Sequence, residues 1–253
     1  MQCTVLGSGA ACPPAGKNSS GILISDQGRT VLLDTGHGVA SALLTIHPNF
    51  DIDDIFITHM HADHFIDILA LRFRVTRDMD GLAGANPRTT LHLPPGGMDT
   101  LAKILDAVTF PTDFCRTTFH VREYDPTETC TLGPLTIRFA EARHYIPAWA
   151  IRVQGSATLT YSGDTAPTDL VTELAQDTDL FLCEATLQEP ETGPTHGHCT
   201  PHQAAAMAAD ARAKRLLLTH FWYGTDRNQV HHRAAQTYTG PLQIADDGLR
   251  LQL

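Results

Sequence analysis

No run in this chain of 253 residues approaches the ~18 consecutive apolar positions that suggest a membrane span. The opening MQCTVLGSGAACPP has neither a basic start nor a long apolar segment, so no signal peptide is read there. Cysteine is sparse and unpaired. Its six copies, at 3, 12, 115, 130, 183 and 199, form no C-x-x-C pair and no dense framework. A chain this long builds a core without staples, so reduced thiols and a cytoplasmic protein are expected. Cys3 and Cys183 stand in apolar runs and read as small core residues, and Cys199, beside His198, is the one cysteine to watch, with a structural role favoured over a direct one. Basic residues are also short: 18 Lys and Arg stand against 28 Asp and Glu, a formal net charge of -10, with no basic cluster on one element. That balance argues against a large phosphate-tracking footprint, and so against long nucleic acid as a partner. A small anionic ligand stays open, because a bound metal supplies positive charge locally.

What is present is apolar enough for a core: 42% of residues are hydrophobic and 18% charged. Runs rich in Val, Ile, Leu, Thr and Phe, most of them bounded by Gly, Pro or Asp, predict strands at Cys3–Leu6, Gly21–Ser25, Thr30–Asp34, Asp54–Thr58, Thr90–Leu93, Leu135–Ala140, Trp149–Gln154, Thr158–Ser162, Leu180–Glu184, Leu216–Thr219 and Leu249–Leu253. Helices are expected over Val39–Ile46, Phe65–Val75, Met98–Val108, Asp169–Gln176, Pro201–Arg212 and Asn228–Tyr238. The helix from Pro201 has the best start chemistry, with Thr200 as N-cap, proline at the first helical position and Gln203 completing a Thr-x-x-Gln capping box. The order reads as strands then helix in each of two halves, about 1–128 and 129–253, within one domain spanning 1–253. No Ser- or Gly-rich linker or low-complexity tract divides them. Two sheets packed face to face with helices outside fit this order. The loop DMDGLAGANP within Arg77 to Arg88 reads as a surface loop in preference to a lid, and Pro111 to Thr129 yields no reading.

The chain's excess is histidine, at 14 residues. Three fall in THMHADHF, directly after the apolar Ile55-Phe56-Ile57. Imidazole and carboxylate are ligands of zinc and other first-row divalent ions. His59 and His61 alternate by two, so an extended backbone aims both to one side. Asp63 and His64 follow where the chain turns toward the next helix, so one short segment is able to serve two metals. His144, Asp164 in YSGDT and His220 in LLLTHF also follow strands, where a sheet gathers side chains on one rim.

His59-x-His61-x-Asp63-His64, followed by His144, Asp164 and His220, resembles the metallo-β-lactamase superfamily over nearly the whole chain, including the opening VLGSGA and the LLDTGHG stretch. The resemblance implies an α/β fold, an αββα sandwich of two mixed β-sheets flanked by helices. It implies two divalent metal ions, zinc first, with manganese or iron as alternatives. His59, His61 and His144 would bind one, Asp63, His64 and His220 the other, and Asp164 would bridge them. Asp34 in LLDTG resembles the family aspartate that orients a ligating imidazole.

LFLCEAT, with Glu184, and GHCTPHQAAAMAADARAKRLLLTHF, with His198, are similar to blocks of the tRNase Z-type proteins. That similarity implies a phosphodiesterase, in which a metal-held hydroxide oriented by Asp63 attacks phosphorus and His198, assisted by Glu184, protonates the leaving group. His196 is the weaker candidate for that role. The tRNA-clamping arm of those enzymes has no counterpart here: only 20 positions separate His144 from Asp164. The stretch TLGPLTIRF through LFLCEAT is similar to bacterial cyclic-nucleotide phosphodiesterases of the superfamily. A small-molecule phosphodiester, most of all a cyclic nucleotide, is therefore the expected substrate. The alternatives are a tRNase Z-type tRNA 3′ endoribonuclease, or a lactonase or β-lactamase-like carbonyl hydrolase, and a non-catalytic metal-binding module ranks below them. Trp149, Phe221, Trp222, Phe73 and Tyr223 are the aromatic candidates to stack a base, and His231-His232 reads as a solvated helix face. The frequent dimers of the family leave a homodimer open.

Overall fold

The computed structural model describes residues 1–76, 89–193 and 195–253. Among the described residues, fourteen strands form two sheets of seven. The first holds β1 (Gln2–Gly7), β2 (Gly21–Asp26), β3 (Arg29–Leu33), β4 (Asp54–Phe56), β5 (Thr90–Leu93) and β6 (His120–Glu123), with β14 (Arg250–Gln252) added beside β1. The second holds β7 (Cys130–Leu132), β8 (Leu135–Glu141), β9 (Trp149–Gln154), β10 (Thr158–Tyr161), β11 (Leu180–Glu184), β12 (Leu216–Thr219) and β13 (Leu242–Ile244). Both are mixed. β14 to β3 pair antiparallel and β3 to β6 parallel, just as β7 to β10 pair antiparallel and β10 to β13 parallel.

Strand alternation assigns the two faces of the first sheet. Ile22, Ile24, Val31, Leu33 and Phe56 point into a core shared with Leu135, Ile137, Ile151, Val153 and Leu159 of the second sheet. Leu23, Leu32, Ile55 and Ile57 point the other way, into a core with α1 (Val39–Ile46), α3 (Ile68–Thr76) and α4 (Gly97–Ala107). On the far side of the second sheet lie α5 (Asp169–Leu174), α6 (Pro201–Asp210) and α7 (Arg227–Ala235). Parallel strands covered on both faces read as continuous apolar runs, which is why LFLC and LLL were legible.

Three strands escape the sequence reading: β6, β7 and β13. β6 and β13 are edge strands with largely unburied side chains, and β7, three residues long, is the other edge of its sheet. The helix expected from Phe65 is instead two pieces, a single turn α2 (Ala62–Phe65) and α3 from Ile68. Asp67 ties the break. Its backbone N–H donates to Thr35 O at 2.9 Å, and its Oδ2 accepts from the Ala40 backbone N–H at 2.8 Å. The final strand crosses back to the first sheet, so the C-terminal segment completes the N-terminal half. The Arg77 to Arg88 loop lies outside the described residues, and among those described no helix is long and apolar enough to cross a membrane.

Candidate metal centre

THMHADHF leaves β4 at the C-terminal end of a parallel strand. There the ladder stops and side chains are free to converge on a ligand. His61 is extended (φ -76°, ψ 144°) and caps α2, whose one turn carries Asp63 and His64. The LLDTGHG loop braces this turn from behind. Thr35 donates its backbone N–H to His64 O at 2.6 Å. Gly36 is a glycine of necessity, since a Cβ there would lie 2.0 Å from Asp63 O.

Two groups of donor atoms result. In the first, His59 Nε2 and His144 Nε2 lie 3.1 and 3.0 Å from His61 Nδ1, with Asp164 Oδ2 at 3.6 Å from His59 and 3.8 Å from His144. In the second, His64 Nε2 and His220 Nε2 are 3.3 Å apart. Asp63 Oδ2 lies 3.6 and 3.4 Å from them, and Asp164 Oδ1 lies 3.2 Å from each. Asp164 therefore turns one oxygen to each group. Ligands held at 2.0–2.1 Å by one tetrahedral ion are separated by about 3.3–3.4 Å, so both sets of distances suit a divalent cation. Asp164 Oδ1 is buried and accepts no hydrogen bond among the described residues, although two imidazole nitrogens face it. A buried carboxylate oxygen faced by two imidazole nitrogens, with no well-formed hydrogen bond, suits a cation.

The outward nitrogens of four imidazoles are anchored. His59 Nδ1 meets Thr58 Oγ1 at 3.0 Å, His64 Nδ1 donates to Asp34 Oδ2 at 2.7 Å, His144 Nδ1 donates to Gly197 O at 2.7 Å, and His220 Nδ1 meets Thr186 Oγ1 at 2.7 Å. These bonds set the tautomer and leave Nε2 for a ligand. Asp34 is fully buried and also accepts from Thr58 N–H at 2.8 Å, Thr58 Oγ1 at 2.9 Å and Tyr161 OH at 3.0 Å. Asp34 and His220 both hold positive φ, 61° and 64°. Non-glycine residues rarely do so unless their surroundings impose it.

The electrostatics follow from packing carboxylates and imidazoles together. Burial, reinforced by the neighbouring His64, holds His59 far below the ordinary imidazole value, and burial also lowers His61 and His144. Burial would lower His64 too, but the Asp164 and Asp34 carboxylates outweigh it and drive it well above. The carboxylates show the same contest. Burial would raise Asp164, yet His220 and His64 bring it well below the carboxylate range. Burial would raise Asp63 as well, but the His220 hydrogen bond brings it down to about 2. The metal-free centre thus keeps a proton on His64 where a cation would otherwise balance the carboxylates.

A second unit adjoins the first. His198 Nδ1 donates to Glu184 Oε1 at 2.8 Å, and the His198 ring stacks on His220 with centroids 5.6 Å apart. Burial pulls His198 down, but the Glu184 charge and hydrogen bond push it up to about 9. Glu184 is wholly buried and also accepts from Thr165 N–H at 2.8 Å, Cys199 N–H at 3.2 Å and Thr186 Oγ1 at 2.6 Å. Through Thr186 it is linked to His220. Sequence reasoning missed three residues here: Thr186, Tyr145 and Glu191. Tyr145 donates to Glu191, which accepts the backbone N–H of Gly197 at 2.6 Å and holds the loop before α6. These are common residue types with no local pattern to mark them. Among the described residues, His196 enters none of the clusters of metal-binding side chains, and Cys199 is buried against Met207. Of the aromatic candidates, Trp149 and Phe221 are core residues. Phe73, on α3, packs with Phe110 and Phe114, and Trp222 and Tyr223 line a 590 Å³ cleft that includes His198.

A family model described as a beta-lactamase superfamily domain matches residues 29–221. A probable metallo-hydrolase of Bacillus subtilis, YhfI, is 29% identical over 251 residues, covering 98% of each chain. The crystal structure of the metallo-beta-lactamase fold protein YhfI matches at a TM-score of 0.86 with 25% identity, over 99% of this chain and 98% of that one. A ribonuclease Z of Haloferax volcanii is 26% identical over 310 aligned residues, taking in 100% of this chain and 95% of that protein. The crystal structure of a diphosphatase from the PhnP family shares the fold, with a TM-score of 0.75, 21% identity, and coverage of 100% and 97%.

Proposed function

The chain belongs to the metallo-β-lactamase superfamily, within its tRNase Z-like branch of metal-dependent hydrolases, and from that premise we propose that it cleaves small phosphodiesters, cyclic nucleotides first among them. His59, His61 and His144 with Asp164 Oδ2 would hold one divalent ion, and Asp63, His64 and His220 with Asp164 Oδ1 a second. Nitrogen and oxygen donors without thiolate suit zinc, and admit manganese or iron. When bound, such ions supply positive charge to the phosphoryl oxygens and bring the pKa of water toward neutrality.

The protein's own groups do the rest. Asp63, held ionised, accepts a hydrogen bond from the attacking water and fixes its direction. The observation that carries the reading is the Glu184–His198 pair, 2.8 Å across and beside His220. A phosphodiester departs as an alkoxide that needs a proton. His198 gives its Nε2 proton to that oxygen as the P–O bond breaks, while its Nδ1 proton stays on the hydrogen bond to Glu184. The Glu184 carboxylate keeps His198 protonated at neutral pH, so the proton is in place for this transfer.

Size and charge favour a small substrate. The segment between His144 and Asp164 is occupied by β9 and β10 and their short turn, with no projecting arm. The alignment with the ribonuclease Z runs over 310 positions, more than the 253 residues of this chain, so the ribonuclease carries insertions that this chain lacks. A formal charge of -10 opposes binding a polyanion as long as tRNA.

A substrate panel tests the proposal. Metal-loaded protein is given cyclic mononucleotides, bis-p-nitrophenyl phosphate, a 3′-extended tRNA precursor and a lactone, with Asp164→Ala as control. Turnover of the cyclic nucleotides that vanishes in the control is expected. Accurate tRNA cleavage would replace the small-substrate reading with an endoribonuclease, and turnover of the lactone alone would overturn phosphodiester chemistry.

A further inference from the structure

We propose that the cleft beside His198 is a subsite for a neutral, N–H-bearing heterocycle of nucleobase type, stacked on Trp222 and Tyr223; this rests on the phosphodiesterase reading and specifies its substrate. The cleft measures 590 Å³, within the range of about 300–1,000 Å³ usual for small-molecule sites. Trp222 and Tyr223 are 46% and 67% exposed, large apolar faces left in water at its mouth. Scattered exposed aromatics are ordinary on a monomer. Two in succession, on a cleft that also contains His198, are not scattered.

Their backbone is firmly held. Phe221 N–H donates to Ser8 O at 2.9 Å, Tyr223 N–H to Cys12 O at 2.8 Å, and Thr225 N–H to Trp222 O at 3.1 Å. The exposure of the rings therefore belongs to an anchored turn. Trp222 also stands two residues beyond His220. Two residues of chain span at most about 7 Å, which matches the reach from a nucleotide's phosphorus to its base. A phosphate at the His220 end and a ring at Trp222 can be held together.

The lining chooses the kind of ring. It is lined by Gln188, Gln229 and Asp226, whose Oδ1 also caps α7 by accepting the Asn228 and Gln229 backbone N–H groups, and among the described residues no Lys or Arg lines it. Away from His198 a phosphate would find no cation there, and a carboxylate would repel it. A flat neutral ring finds two aromatic faces, and its N–H groups find amide and carboxylate acceptors. Stacking of a base on an aromatic side chain is general in nucleotide recognition.

Two measurements test the subsite, one of them independent of catalysis. The chain has two tryptophans, and Trp149 is in the core, so the exposed Trp222 is the fluorophore at the cleft. Adenosine should quench the wild-type emission saturably while ribose should not, and Trp222→Leu should abolish the response. In kinetics, Trp222→Ala and Tyr223→Ala should each raise KM for a cyclic mononucleotide by roughly tenfold. The loss in kcat/KM should be at least several-fold larger for that substrate than for ethylene phosphate, a base-free cyclic diester followed by phosphorus NMR. Equal losses on both substrates, or none on either, would overturn the subsite. Should the wild type hydrolyse neither diester, the phosphodiesterase reading fails, and the adenosine titration still decides the subsite: saturable quenching upholds it and a flat response removes it.

Discussion

Asp34 shows how much one carboxylate contributes when it is buried at the rear of a ligand. It takes four hydrogen bonds and orients His64 from a backbone angle that few residues adopt. Asparagine tolerates that angle and keeps much of the geometry, but it lacks the charge that supports the imidazole. Asp34→Asn is therefore expected to fold and to bind metal about 10–100-fold more weakly, measured by competition with a chromophoric chelator. A second expectation concerns protons. In the metal-free protein His64 is raised and so is protonated at pH 7, whereas His59, His61 and His144 are lowered and already neutral. A metal at His64 Nε2 must displace its proton. Uptake should then release about one proton per chain near pH 7, and the apparent Kd should improve about tenfold per pH unit there. Calorimetry in buffers of different ionisation enthalpy reads this directly, and uptake without proton release would refute it. The motif HxHxDH was legible because its donors lie within one short segment. Thr186, Tyr145 and Glu191 were not, because they owe their place to contacts 34 to 46 residues away in sequence.

Among the elements, α6 behaves as its sequence predicts. Thr200 Oγ1 accepts from Gln203 N–H at 3.3 Å, and the Gln203 side chain accepts from Thr200 N–H at 2.9 Å. Thr200→Ala should cost about 1 kcal/mol, read from the urea midpoint of the metal-free protein. The loop that α6 pins depends on Gly197. A Cβ at Gly197 would lie 2.5 Å from the Tyr145 ring. Gly197→Ala must displace the Tyr145 ring, whose hydrogen bond to Glu191 helps hold the loop, or push the loop outward and carry His198 with it. Displacements near 1 Å at a reacting group cost up to about 10²-fold, so kcat should fall by at least tenfold with metal content largely retained. Tyr145→Ala in the same chain removes the clash and should restore part of the loss. A double variant no better than Gly197→Ala alone would show that the clash is not the cause. The edge strands β6 and β13 illustrate the opposite case, in which pairing along one side and weak burial leave little pattern to read.

At the scale of the molecule, the candidate metal centre joins the two sheets. His59, His61, Asp63 and His64 follow β4 of the first sheet, and His144, Asp164 and His220 follow β8, β10 and β12 of the second. Ions bound between them would act as a cross-link that exists only in the folded state. At free metal one hundred times Kd, one bound ion adds about 2.7 kcal/mol to the stability. Chelation should lower Tm by several degrees, and Asp164→Ala should remove most of that difference. An equal Tm with and without chelator, with metal binding shown separately, would place the ions outside the folding linkage.

The sequence by itself determined the class of fold, the ligand-type residues of THMHADHF and the start of α6. Each rests on local patterns of burial, spacing or capping, which need no knowledge of distant chain. The tertiary structure alone decided that Asp164 faces both groups of donors, that Trp149 and Phe221 are core while Trp222 and Tyr223 line a cleft, and that Tyr145 and Glu191 hold the His198 loop. Those facts depend on which strand ends meet across the sandwich, and that is settled by the packing of two sheets on one core.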